Sequence, residues 1–263
     1  MDETLNNLVM NFDYFILLTV RVGALLMVSP IFGRANIPNV AKIGLCLFTA
    51  YILFAALPMG PAVSIRSAID YALLIIKELL FGLVLGYVTR LFFTLAQTAG
   101  YVIDMQMGFG MVNVFDVQNN VSVPITGNFL FIVLTMMFFA VNAHHHLFTV
   151  LFSTFRTVPV GHVTLSPQIG EAALKVFISA FFIAILVAMP FIASGLLGEM
   201  ILGFIVRTTP QMNVFVVGIP LKVLLGFVVI WLVLPTYVRF TSTIFNEMFI
   251  AMEYMLENLV SSA

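Results

Sequence analysis

Three consecutive histidines, His144-His145-His146, are the densest set of metal-binding and proton-accepting side chains in the sequence. Neighbouring residues on a helix point about 100° apart, so three adjacent imidazoles cannot converge on one ion from a single helix. They are expected to form a polar girdle at an interface or subunit contact, and no metal site is assigned. The acids are scattered, and no Cys-His or Ser-His arrangement falls on a shared helix face. No G-x-S-x-G elbow, H-E-x-x-H pair, P-loop or dinucleotide fingerprint occurs. An intramembrane active site would have to lean on His144 to His146 with Asp104 or Asp116. The expectation is no enzyme and no cofactor.

Mechanics offers more than catalysis. The stretch from Gly100 to Pro124 is too rich in breakers to form one regular helix or strand, and too apolar to be disordered. It holds Gly100, Gly108 and Gly110, with Met105, Met107 and Met111 among them. Asp104 and Asp116 flank its middle, and Gln118-Asn119-Asn120 precede the closing Pro124. Methionine is unbranched and polarizable, and it fills irregular space while tolerating repacking. Met105, Met107, Phe109, Met111 and Phe115 can therefore supply a soft seal. Gly108 and Gly110 would let its backbone swing, and Asp104 and Asp116 would anchor it to neighbouring subunits. Ordinary core packing of the same Met and Phe side chains is the competing reading.

The elements around this stretch are those of a membrane protein. Of 263 residues, 62% are hydrophobic and 9% charged, where a soluble domain carries roughly 25% charged residues. The net charge of −1 gives no basic footprint for nucleic acid. Cys46 is alone, so no internal disulfide can form. Met1 to Asn7 hold no Lys or Arg, so no cleavable signal peptide is expected.

Apolar segments are expected at Phe12–Phe32, Ile43–Leu57, from Ala68 to the central stretch, Phe129–Val141 (resuming after the Asn142-to-His146 run through Phe155), Val176–Gly198 and Leu221–Val238. The second is short for a crossing of about 20 residues, and Pro190 should kink the fifth. Glu199 should end the fifth, and Gly203 to Pro220 form a second break. Arg21 lies mid-segment, where a lipid-facing charge costs about 2.5–3.5 kcal/mol. It is expected to pair with a partner acid, with a role on a conduction path as the alternative. The third segment carries Asp70, Lys77, Glu78 and Arg90, and its Gly82-x-x-x-Gly86 would admit a close neighbouring backbone. From Arg239 the pattern is amphipathic, with Ile244, Met248, Met252, Met255 and Leu259 on one stripe beside an acidic face. An acidic face suits a protein partner better than anionic lipid. With six spans, Arg66, Arg156, Lys175 and Arg239 fall on one side. Arg34, Lys42, Arg90 and Arg207 fall on the other, with Lys222 nearby, and neither side shows the excess that sets orientation.

Three blocks resemble the FliR family, the R subunit of the flagellar type III protein export gate. The first is Ala99-Gly100, Ile103-Asp104-Met105-Gln106-Met107-Gly108 and Phe115-Asp116. The second is Asn142, His144 and His145, then Phe155 and Pro159-Val160-Gly161. The third is Pro210-Gln211-Met212-Asn213-Val214-Phe215 and Gly218-Ile219-Pro220-Leu221-Lys222. The resemblance runs over essentially the whole chain. It departs at Val117, where the family often has proline, and at Ala143, where it often has glycine.

The resemblance implies an all-α, membrane-type fold of helical hairpins with broken helices, built into a hetero-oligomeric pore. The chain would form one helical unit, 1–263, with a plug loop about 104–124 and an amphipathic C-terminal helix about 239–260. Implied partners are FliP, FliQ and FlhB, with membrane lipid around the assembly and exported flagellar proteins as transit substrates. The implied location is the bacterial inner membrane, in the flagellar basal body. The plug would correspond to Gln106 through roughly Ser122. Subunit contacts are expected at Arg21, Pro210, Gln211, Phe215, Gly218, Pro220 and Lys222. The alternative is a secondary transporter of a small solute, built on broken helices and buried charges.

Overall fold

The computed structural model describes residues 2–57, 67–109, 124–163, 166–209, 211 and 214–259. Every regular element among them is an α-helix. These are α1 (Asp2–Val28), α2 (Asn39–Ala56), α3 (Ala68–Met107), α4 (Ile125–Ala140), α5 (Ala143–Thr157), α6 (Ile169–Thr208) and α7 (Val214–Leu259). Five of them are long and apolar enough to cross a bilayer, or six spans if α4 and α5 count as one broken span.

Local chemistry sets several of the boundaries. Pro38 and Pro124 hold the extended conformation that precedes α2 and α4, and proline at a helix entrance sacrifices no intrahelical donor. Asn142 adopts a left-handed φ of 57° between α4 and α5, a conformation asparagine tolerates better than most residues.

Other boundaries differ from the sequence expectation. The helix that begins at Ala68 does not stop at Gly100 but continues to Met107. A Cβ at Gly100 would collide with the backbone of Gly127, so this glycine is used for close helix crossing and not for a turn. The second segment starts earlier than expected, and α2 reaches 18 residues. Helix α6 runs past Glu199 to Thr208 and α7 begins at Val214, so residues 203–208 and 214–220 of the expected second break are helical. Pro190, Pro220 and Pro235 all sit inside helices, as membrane helices allow when neighbours satisfy the freed backbone groups. The segment from Arg239 is the end of α7 and not a separate helix. Its stripe of Ile244, Met248, Met252, Met255 and Leu259 is buried by this chain itself.

The chain gathers into two compact units. One comprises 1–91, 142–177 and 247–263; the other comprises 92–141 and 178–246. The first is organised around Arg21, which is fully buried. Its Nε donates to Glu78 at 2.6 Å and its Nη1 to the Val158 carbonyl at 3.0 Å. The guanidinium lies 4.2 Å from the Phe81 ring centroid and 4.5 Å from that of Phe155. The other Glu78 oxygen accepts the Gly161 amide at 2.8 Å. One ion pair thus ties α1 to α3 and both to the turn after α5. Gly82 and Gly86 face Arg21, Ala24 and Val28 with no room for a Cβ, as the G-x-x-x-G spacing predicts.

The second unit has an aromatic core. Phe138 meets Phe93 edge-on at 5.3 Å and Phe245 at 5.5 Å, and Phe93 meets Phe131 at 6.1 Å. The buried Tyr237 hydroxyl donates to the Leu130 carbonyl at 3.1 Å, joining α7 to α4. The core therefore fixes the two helices, α3 and α4, between which the central stretch runs.

Candidate functional site

The last turn of α3 and the first turn of α4 form the two roots of the central stretch. At the first root, the Gly108 amide donates to the Met105 carbonyl at 3.3 Å and the Phe109 amide to the Asp104 carbonyl at 2.9 Å. With Gly108 at φ +82°, this pair of bonds is a Schellman cap. The left-handed freedom of Gly108 thus goes into ending a helix sharply.

Asp104 holds the second root to the first. It is 4% exposed, and its carboxylate accepts the Thr126 amide at 3.2 Å. Thr126 is the second residue of α4, so its amide has no intrahelical acceptor. No side chain of the local cap supplies one. A carboxylate here meets both an orphan donor and the positive end of the helix dipole. Gly100 and Gly127 lock the two helices one turn away. Asp104, expected to bind a neighbouring subunit, is bonded within its own chain.

The methionines flanking this cap have separate fates. Met105 is 57% exposed, whereas Met107 is 3% exposed. Met107 fills the space that a Cβ on Gly226 of α7 would need, its sulfur 2.7 Å from that position. Gln106 does the same at Gly195 of α6, its Oε1 2.6 Å from the ideal Cβ. Together with Phe191, Ser194, Gly198, Lys222 and Leu225 they line a cavity of about 10 Å³, room for about one water molecule. Phe109 turns its edge to Phe227 at 6.1 Å. Of the sequence-derived seal and anchor residues, Gly110, Met111, Phe115 and Asp116 lie outside the described residues.

The expected contact residues divide likewise. Arg21 is sealed in the first unit by its own chain, with Glu78 as the partner acid. Lys222 pairs with Glu199 at 2.8 Å, joining α7 to α6. Gln211 and Pro220 are exposed and Gly218 is buried. Pro210 and the Phe215 side chain lie outside the description. The His144 and His145 rings stack at 4.2 Å, and His146 meets Phe249 edge-on at 4.3 Å. Among the described residues, no His, Cys, Asp or Glu cluster could hold a metal ion.

Sequence reasoning missed Gly195, Gly226, Glu199 and Thr126. The Gly195-x-x-Gly198 spacing was a signal for one of them; the rest required the partner helix.

These observations define an all-helical membrane protein whose central interruption is capped, anchored and packed at its roots. A family model described as "Bacterial export proteins, family 1" matches residues 12–248. Among similar proteins is the flagellar biosynthetic protein FliR of Bacillus subtilis. It is 35% identical over 231 residues, covering 86% of this chain and 88% of the relative. The FliR protein of Escherichia coli is 29% identical, over 88% of this chain and 87% of its own. That of Aquifex aeolicus is 27% identical, over 92% and 93%. The chain belongs to this family of bacterial export proteins, the family of the FliR proteins.

Proposed function

We propose that this chain is a wall of the flagellar protein export gate in the bacterial inner membrane, and that its central stretch seals the conduit at rest. A passage wide enough for an unfolded flagellar polypeptide must not leak ions when idle, which calls for apolar groups that fill the bore and then give way. Gly110, Met111 and Phe115 with Phe109 are placed by sequence to do so, and Met105 adds an exposed thioether at the root. The observation that carries the reading is the Asp104 bond to Thr126. It fixes both roots of the stretch against each other, which supports the reading of a tethered stopper between them. Asp116 serves as the second anchor within it.

FliP, FliQ and FlhB are the proposed neighbours, with the exposed Gln211 and Pro220 and the adjoining Pro210, Phe215 and Lys222 as contact surface, behind which Gly218 is buried. Membership of an export family weighs against a small-solute transporter. Deleting Gly108 to Val114 tests the reading: resting ion leak across the membrane should rise while incorporation into the gate stays normal. A tight membrane with a normally incorporated deletant would remove the sealing role.

A further inference from the structure

Two glycines on different helices receive the last two residues of α3, and nothing in the sealing role alone requires them to. Gly195 and Gly226 each leave a notch where any side chain would overlap Gln106 or Met107. Met107 is buried in its notch, although it stands one residue before the helix cap. The Lys222–Glu199 ion pair joins the two notched helices beside the same cavity.

The two ends of this turn are held by different chemistry. Asp104 is fixed by a charge-assisted bond to a helix terminus, and Gly100 by backbone interlock with Gly127. Three residues later, Met107 is held by packing against a glycine. A thioether side chain repacks easily. At Gly108 a Cβ would meet nothing within 4 Å, so the cap itself is not wedged.

We propose that the Gly195 and Gly226 notches are a docking seat for the end of α3. Met107 in the Gly226 notch defines the resting state of the gate, and it leaves the notch when a polypeptide passes. Asp104 is the fixed pivot and the seat is the releasable latch. The inference rests on the sealing role proposed above, and assigns it two positioning residues.

The test is a reversible lock in the assembled gate. A Cβ on residue 226 would overlap Met107 Cγ, so the two Cβ atoms come within about 4 Å, inside disulfide range. Met107→Cys with Gly226→Cys, in a Cys46→Ser background, is oxidised with copper phenanthroline in export-competent cells. Loss of flagellin secretion on oxidation, restored by dithiothreitol, is the expected result. Failure of the pair to cross-link, or undiminished secretion by the cross-linked chain, overturns the latch. Gly226→Val supplies a second measurement, with expected resting leak because its side chain displaces Met107 from the notch, and Met107→Ala, which leaves the notch empty, should leak as well. A tight Gly226→Val gate beside a leaking Gly108–Val114 deletant would sink the latch and spare the seal. A tight Met107→Ala gate would also sink it. A tight deletant removes the seal, whereas the disulfide lock still reports separately on docking.

Discussion

Arg21 survives in an apolar unit because every strong interaction it makes is with a nearby fixed group. Glu78 supplies the opposite charge, Val158 a carbonyl, and Phe81 and Phe155 two ring faces. Removing one member of a buried pair leaves the other uncompensated, at a cost of about 3–5 kcal/mol. Arg21→Met should therefore sharply lower the amount of chain accumulating in membranes and the Tm of the purified assembly. Arg21→Met combined with Glu78→Gln should recover most of the loss, because the neutral amide still accepts the Gly161 amide proton. A double variant as unstable as Arg21→Met alone would show that the charge pair is not what holds the turn after α5. The need for a partner acid was legible in the sequence, since a lone arginine in such a segment is too costly. Which acid it would be was not, because Glu78 is set beside it by the crossing of α1 and α3 at Gly82 and Gly86.

At the scale of elements, the central stretch shows how one residue type carries opposite meanings. Gly100 and Gly108 look alike in sequence, yet Gly100 continues a helix and Gly108 ends it. The difference lies in their neighbours: Gly100 is pressed on Gly127 of α4, whereas Gly108 is free to take a positive φ. Asp104 was legible as an anchor, but its acceptor role at the start of α4 depends on how the two helices meet. Asp104→Ala should cost about 0.5–2 kcal/mol, the range for losing a side-chain cap. The loss should appear as faster hydrogen exchange in the first turn of α4 and as a raised resting leak. Asp104→Asn keeps an acceptor for the Thr126 amide and should fall between Asp104→Ala and the unaltered chain. Unchanged exchange in both variants would mean that the packing of Gly100 on Gly127 holds the two roots without help.

At the scale of the whole molecule, helix length explains why counting positive charges in loops gave no orientation. Arg90, Lys175, Arg207, Lys222 and Arg239 lie within helices. The 40 residues of α3 and of α6 extend about 60 Å and the 46 of α7 about 69 Å, against a hydrocarbon core of about 30 Å. Lipid can cover only part of such helices. Their outer faces are nevertheless apolar well beyond that span: Leu174 and Phe204 on α6, about 45 Å apart along the helix, are 58% and 71% exposed, and Val216 and Ile250 on α7, about 51 Å apart, are 67% and 50% exposed. Only 11% of the apolar window of α7 is buried within the chain. Exposed apolar surface on this scale marks a protein or membrane contact, and what exceeds the bilayer must be covered by protein. Expressed alone, the chain should therefore be degraded faster than in the assembled gate, as read by pulse-chase. Co-expression with the proposed neighbours FliP and FliQ should lengthen its half-life several-fold. Equal half-lives in the two strains would mean that the chain buries these faces by itself, and would count against the proposed wall of a shared conduit.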